Sequence, residues 1–135
     1  LPHVITKDRF RGNFDGFDGT SVLEIKTTSV IHDNLTEYKY YLVQLLFYMQ
    51  LAKVKEGMLA VYERPEDYDT EFDESRLKVF PVAFDEHKEL VEEMNYQIEK
   101  FLEDLDKVKE NPLLREEDLI PMAVVEISNM AMFAV

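Results

Sequence analysis

Residues 15–28 of the chain read DGFDGTSVLEIKTT. The stretch begins with glycine and aspartate, which are typical of a tight turn, and continues with β-branched residues that predict a strand over 21–28. Because side chains alternate along a strand, Glu24 and Lys26 are expected on one face, and Leu23, Ile25 and Thr27 on the other. A carboxylate and an ammonium group would therefore project side by side.

Working outward from this strand, the hydrophobic pattern predicts a succession of strands and helices. The predicted order is three strands, a helix, two strands and a helix. The strands cover residues 4–10, 21–28, 58–62 and 77–84, with a further short strand of an antiparallel meander between the first two, and the helices run from 34 to about 55 and from 85 to Asn111-Pro112. This order predicts the α/β class (α+β mixed), with a central mixed β-sheet of about five strands flanked by helices.

The ends of the predicted helices carry residues of the kinds that terminate helices. Asp33 or Asn34 is expected to cap the first helix, and Gly57 stands where a left-handed residue would end it. Asp85 is expected to cap the second helix. A further apolar stretch, from Met122 to Val135, would need a surface to bury against if it formed a helix.

The length of 135 residues, with 46% hydrophobic and 32% charged residues, predicts one folded domain over 1–135. The chain begins with Leu1 and ends on an apolar stretch, so we expect it to be a segment of a longer chain that lacks an N-terminal helical part. It has no cysteine, which excludes disulfides and zinc fingers. No apolar run approaches the roughly 20 residues that span a bilayer, so a cytoplasmic protein without a membrane partner is expected.

The net charge of −13 argues at first against a nucleic-acid partner. Residues 1–60, however, contain seven basic and seven acidic side chains, and the whole excess lies in residues 61–135. Glu24 and Lys26 therefore lie in the half of the sequence in which basic and acidic side chains are equal in number. Segments outside this sequence, or ring-like homo-oligomerisation, are expected to supply a basic channel if the chain binds DNA.

Asp15 lies nine residues before Glu24 and would come beside it if the two segments pair across the glycine-rich turn. Two carboxylates and Lys26 would then share a pocket that suits phosphodiester hydrolysis, because Mg²⁺ prefers oxygen ligands and a lysine can orient water or stabilise negative charge. The alternative is that Glu24 and Lys26 form an ordinary surface ion pair, and that Asp15 or Asp18 only serves turn geometry.

The predicted first helix adds two polar residues to this picture. Gln44 and Tyr48 are four residues apart and therefore share one face of an otherwise apolar helix, where they need polar partners. Nearby backbone groups could satisfy them. Lys39, Tyr40 and Tyr41 on the first turns of the helix could contact phosphate or stack on a base. The three histidines lack metal-ligand spacing and are expected to be surface or capping residues.

The series Gly12-Asn13-Phe14-Asp15, Glu24-Ile25-Lys26 and Gln44-Leu45-Leu46-Phe47-Tyr48 resembles the motifs of RecB-type nucleases. These belong to the PD-(D/E)XK superfamily, in the branch of YqaJ-like phage recombination exonucleases related to lambda exonuclease. The resemblance covers about residues 4–110 and implies a restriction-endonuclease-like core.

The resemblance further implies roles for single residues. Asp15, Glu24 and the backbone carbonyl of Ile25 would hold one or two Mg²⁺ or Mn²⁺ ions, Lys26 would act on the attacking water, and Gln44 and Tyr48 would brace the site or touch DNA. Related enzymes also use an acidic residue or histidine from a preceding helix, which has no counterpart here.

The implied activity is that of a DNA exonuclease of the phage recombination or repair type. Its substrate would be duplex ends or a single strand, and a single-strand-annealing recombination protein is a candidate partner. Two alternatives stay open from the sequence, namely an inert binding module with a nuclease fold and a structure-selective endonuclease such as a junction resolvase.

Overall fold

The chain folds into a mixed four-stranded sheet, a separate two-stranded hairpin and two long helices in a computed structural model that describes residues 3–7, 9–67 and 70–110. The strands are β1 (His3–Lys7), β2 (Phe10–Phe14), β3 (Gly16–Phe17), β4 (Ser21–Thr28), β5 (Glu56–Glu63) and β6 (Leu77–Ala83), and the long helices are α1 (Lys39–Ala52) and α2 (Lys88–Glu110). Short 3-10 turns occupy Leu35–Tyr38, Glu74–Arg76 and Phe84–His87. The mixed α and β class predicted from the sequence is confirmed.

The main sheet has the order β3-β4-β5-β6, so it contains four strands where about five were predicted. The difference arises near the N-terminus, because the segment predicted as one strand over 4–10 ends at Lys7, and Phe10 already begins β2. Within the described residues, β1 and β2 then pair only with each other, antiparallel, with Ile5 opposite Gly12. The parallel neighbours β4 and β5 are joined by α1, as a crossover connection requires.

Helix α1 is the centre of the core. Eight of its 14 residues are buried, namely Leu42, Val43, Leu45, Leu46, Phe47, Tyr48, Met49 and Leu51. They meet the inner face of the sheet, where Leu59 and Val61 of β5 are fully buried, and α2, whose Met94 and Ile98 are buried. The helix predicted from 34 to about 55 is therefore observed, with α1 preceded by a 3-10 turn.

The predicted end of α1 at Gly57 is wrong. The left-handed residue is Lys53, with φ 59°, and the backbone N–H groups of Lys53 and Val54 donate to the carbonyls of Gln50 and Met49, the Schellman pattern. Gly57 instead lies inside β5, where an added Cβ would come within 2.7 Å of Met49 Sδ. Its small size allows β5 to approach the helix.

The side-chain caps expected at the starts of the helices are also not observed. Asn34 precedes the 3-10 turn before α1 but makes no side-chain cap hydrogen bond, although its carbonyl accepts from the N–H of Glu37 at 3.1 Å. Asp85 lies within the 3-10 turn before α2, and its carboxylate pairs with Lys55 Nζ at 3.1 Å. A tertiary ion pair thus takes the place of the expected cap.

The outer face of the sheet carries apolar side chains that are open to solvent among the described residues. Ile25 in β4 is 50% exposed, and it lies in one row with Ala60 of β5 and Val79 of β6. Met58 in the next row is 42% exposed. The inner face of β4 thus carries Glu24 and Lys26 beside the fully buried Val22, whereas Leu23 and Ile25 lie on the outer face.

Of the helices in the described ranges, none combines the length and apolar character needed to cross a membrane. Helix α2 is amphipathic, and its buried residues Val91, Met94 and Ile98 follow the predicted helical period. The predicted end of this helix at Asn111-Pro112 and the apolar stretch Met122 to Val135 lie outside the described residues.

Candidate active site

The pairing of β3 with β4 brings Asp15 next to Glu24. Gly16 lies opposite Leu23, so the residue before Gly16 adjoins the residue after Leu23. The Asp15 carboxylate accepts a hydrogen bond from the backbone N–H of Ile25 at 2.8 Å, and the backbone N–H of Asp15 donates to Glu24 Oε1 at 3.4 Å. The predicted approach of the two segments across the glycine-rich turn is therefore observed.

Asp18 stabilises the turn between these two strands. Its carboxylate accepts hydrogen bonds from the backbone N–H groups of Thr20 and Ser21, each at 2.8 Å, and these bonds lower the pKa of Asp18 to about 2. Gly19 next to it has φ 92°, which favours glycine. The turn role left open for Asp15 or Asp18 belongs to Asp18, while the Asp15 carboxylate bonds the neighbouring strand.

Glu24 lies on the inner face of β4, beneath α1, and is only 2% exposed. Lys26, on the same face, places Nζ 3.6 Å from Glu24 Oε2, and its side chain is 24% exposed. A surface ion pair has both charges in solvent, whereas here the carboxylate is buried. The surface ion pair considered from the sequence therefore does not describe this arrangement.

The pKa of Glu24 is raised to about 7 from an ordinary 4.5, mainly by burial and then by the negative charge of Asp15, while the charge of Lys26 acts in the opposite direction. Near neutral pH this carboxyl group therefore exchanges protons readily. Strongly shifted carboxyl groups beside a second carboxylate are characteristic of functional sites. A cation bound between Asp15 and Glu24 would remove the unfavourable interaction.

Helix α1 places Gln44 and Tyr48 over this carboxylate pair. Gln44 Nε2 donates to Tyr48 Oη at 3.0 Å, so the two polar groups satisfy each other. Burial raises the pKa of Tyr48; the Gln44 hydrogen bond opposes this shift, whereas the charges of Glu24 and Asp15 add to it. The phenol thus lies in the electrostatic field of both carboxylates.

Tyr41 is a further neighbour of the site. Lys26 Nζ lies 5.6 Å from the centre of its ring, within the range of a cation–π interaction. The sequence interpretation treated Tyr41 only as a possible base-stacking residue and did not connect it with Lys26. The available signal was its spacing of three and seven residues from Gln44 and Tyr48, which places all three on one helix face.

Gly12 keeps β2 close to α1 next to the site. Gly12 lies within β2, where an added Cβ would come within 2.6 Å of Phe14 Cε1 and 3.1 Å of Tyr48 Cδ1. The rings of Phe14 and Tyr48 pack with their centres 4.9 Å apart. Close packing, not turn geometry, thus requires glycine here.

The two other predicted site groups have different positions. The N–H of Ile25 points to the edge of β4 where Asp15 lies, and because the N–H and C=O of a strand residue leave the same edge, its carbonyl points there too. Lys39 lies on the first turn of α1, where Nζ is 3.9 Å from Glu93 of α2. The structure thus does not add Lys39 to the carboxylate cluster.

These groups fit a hard divalent cation. Asp15, Glu24 and the Ile25 carbonyl offer oxygen atoms, which Mg²⁺ and Mn²⁺ prefer, and Mg²⁺ commonly takes one or two carboxylates and completes its shell with water and phosphate. Within the described ranges, no three side chains of histidine, cysteine, aspartate or glutamate form a group that could hold a metal by themselves. Any bound ion would therefore keep positions open for water and substrate.

Comparison with known proteins adds no relative to this picture: no family model matches the chain, and neither a curated protein nor a solved structure matches it. The similarity to RecB-type nucleases thus remains a prediction that rests on the motif residues.

Proposed function

We propose that the chain is a metal-dependent deoxyribonuclease that hydrolyses phosphodiester bonds at Asp15, Glu24 and Lys26. The observation that supports this most directly is the burial of Glu24, 2% exposed, beside a second carboxylate and 3.6 Å from an ammonium group. A fold retains a buried carboxylate with a raised pKa at the expense of stability, and functional sites are where such groups concentrate.

Each residue has a task in this proposal. Asp15, Glu24 and the Ile25 carbonyl would hold Mg²⁺ or Mn²⁺, which when bound lowers the pKa of a water molecule and neutralises charge on the phosphate. Lys26 orients the attacking water or stabilises the negative charge that develops on the phosphate. Tyr48, held by Gln44, packs near the buried carboxylate of Glu24 and restricts its access to solvent.

The distribution of charge supports a DNA substrate in spite of the net charge of −13. Residues 1–60, which include every proposed site residue, carry as many basic as acidic side chains. The acidic excess that would repel phosphate therefore belongs to residues other than those of the proposed site. Of the nuclease activities, we favour an exonuclease that acts from DNA ends, because the motif series resembles that branch.

The decisive experiment measures the release of acid-soluble nucleotides from linear and closed circular DNA, with Mg²⁺, with Mn²⁺ and with a chelator. Lys26→Ala should reduce metal-dependent release from linear DNA at least about 100-fold, the usual scale for one electrostatic catalytic group. Lys55→Ala is the matched control, because Lys55 directly precedes β5, is exposed and pairs with Asp85.

The other outcomes separate the alternatives. Cleavage of closed circular DNA would identify an endonuclease on the same fold. The absence of cleavage of either substrate would favour the inert binding module, whereas saturable Mg²⁺ or Mn²⁺ binding in calorimetry that Asp15→Ala removes would count against it. If the protein neither cleaves DNA nor binds metal, the proposed site is refuted.

A further inference from the structure

Next to the carboxylate cluster, a concave pocket of about 270 Å³ opens between the end of β4 and the start of α1. Its wall includes Thr28, which follows Lys26 by two residues on the same face of β4, and Tyr41, whose ring lies 5.6 Å from Lys26 Nζ. Two residues along a strand span about 7 Å. The pocket therefore adjoins the cleavage site directly.

The floor of the pocket is aromatic and firmly held. The rings of Tyr38 and Tyr41 stack with centres 5.8 Å apart and planes 12° from parallel, and the His32 ring meets Tyr38 edge-on at 5.4 Å. The backbone N–H of His32 donates to Tyr38 Oη, and that hydroxyl in turn donates to the His32 carbonyl at 3.3 Å. The loop that carries His32 and the helical segment that carries Tyr38 and Tyr41 thus form the floor before any ligand binds.

The rim of the pocket exposes an aromatic ring that the fold does not use. Tyr40 is 61% exposed, beside the exposed ammonium group of Lys39 and the 58% exposed Val30. Exposure of apolar tyrosine and valine surface to water is unfavourable, and these side chains do not contribute to the core. An aromatic floor with an open aromatic rim and a cation alongside is the combination that receives unpaired bases of single-stranded nucleic acid.

We propose that this pocket, which we call the Tyr40 pocket (Thr28, Val30, His32, Glu37, Tyr38, Lys39, Tyr40 and Tyr41), binds one unpaired nucleobase of the strand being cleaved. The carboxylate of Glu37 in its wall lies 2.9 Å from His32 Nδ1. The inference rests on the proposed nuclease function. Bases within a duplex are paired and stacked, so only a frayed end or a single strand can deliver one. The pocket therefore selects a nucleotide that has separated from its complement, and Lys39 lies beside the phosphate of that nucleotide.

The test measures binding of a fluorescein-labelled single-stranded DNA decamer by anisotropy, in chelator so that no cleavage occurs. A series of decamers with one abasic nucleotide at successive positions identifies the position whose base enters the pocket. Tyr40→Ala should weaken binding of the intact decamer by about 5- to 100-fold, the range for loss of one aromatic–base stack. It should also abolish the penalty of the abasic nucleotide.

Two further variants separate stacking from structure. Tyr40→Phe keeps the ring and should bind like the unchanged protein. Tyr96→Ala removes a comparably exposed tyrosine, 57% accessible on α2, and should also have no effect. Equal binding by Tyr40→Ala and the unchanged protein, an unchanged abasic penalty, or no binding of the decamer at all would overturn the inference. Because the nuclease function is judged by cleavage with metal, the two proposals can fail separately.

Discussion

The carboxyl group of Glu24 lies beneath α1 beside a second carboxylate, and its pKa of about 7 has a consequence for stability. Because the folded-state pKa is raised, the folded protein binds more protons than the unfolded chain between pH 4.5 and 7. Folding stability is thus lost as pH rises through this window. The rise from 4.5 to about 7 corresponds to roughly 3 kcal/mol at full ionisation.

We therefore expect Glu24→Gln to be more stable than the unchanged protein at pH 8 in chelator, and to lose most of this advantage at pH 4. Urea unfolding at both pH values measures the difference. Glu56→Gln, at an exposed position of β5, is the control and should change stability little at either pH. A Glu24→Gln variant that is less stable at pH 8 would show that the charged carboxylate stabilises the fold.

The environment of Glu24 was predictable from the sequence only in part. Alternation along β4 correctly places Glu24 and Lys26 on one face, because the side-chain period of a strand is strictly two. Which face is buried does not follow from β4 itself, since Val22 lies on the same face as Glu24, whereas Leu23 and Ile25 lie on the opposite face. That outcome depends on α1, which packs over the charged face and encloses the carboxylate.

Among the elements, α1 ends in a conformation that its own sequence disfavours. Lys53 holds φ 59°, where a side chain is strained, while the hydrogen bonds of the Schellman pattern maintain the turn. Lys53→Gly should raise the free energy of unfolding by roughly 1 kcal/mol. Thermal or urea unfolding measures the change, and Lys53→Ala should bring no such gain because it keeps a Cβ. Equal stabilities of the glycine and alanine variants would contradict the assignment.

The contact between β2 and α1 depends on Gly12. A Cβ at this position would meet buried Phe14 and Leu51 at 2.6 and 2.9 Å, so Gly12→Ala should destabilise the fold by about 1–3 kcal/mol through overpacking. It should also displace Tyr48 and reduce nuclease activity more than the stability loss explains. Asn13→Ala, exposed on the same strand, should leave both properties nearly unchanged. A stable and active Gly12→Ala variant would show that β2 can move.

The helix termini were less predictable than the helices themselves. The apolar pattern of α1 locates it correctly because burial is spread along its length. The same pattern does not distinguish Gly57 from Lys53 as its end, because close packing against Met49 also requires glycine at position 57. Asp85 likewise satisfies the pattern of a cap, but Lys55, 30 residues away in sequence, is its partner.

In the whole molecule, substitutions on the two faces of the sheet should change the free energy of unfolding by different amounts. Leu59→Ala, on the buried inner face, should cost about 2–5 kcal/mol of unfolding free energy. Val79→Thr, on the outer face, should cost less than about 1 kcal/mol, because Val79 is 46% exposed. Urea unfolding of both variants tests this. A cost above about 2 kcal/mol at Val79 would mean that the outer face is covered in the protein.

The class and element order of the molecule were predictable because they follow from the local hydrophobic period. The number of strands in the main sheet was not, because β1 carries the β-branched signal that is typical of the main sheet's strands, yet within the described residues it pairs with β2 alone. Partner choice between strands is decided by contacts distant in sequence, on which the local pattern has no bearing.

The crossover from β4 through α1 to β5 also bears on when the site can form. Asp15, Glu24, Lys26, Tyr41, Gln44 and Tyr48 all lie within residues 15–48, and β5 ends at Glu63. Contacts between residues near in sequence form faster than distant ones, because less loop entropy is lost in closing them. A nascent chain that has emerged only as far as Glu63 therefore already holds every group of the site. Its assembly during synthesis would not wait for β6 or α2.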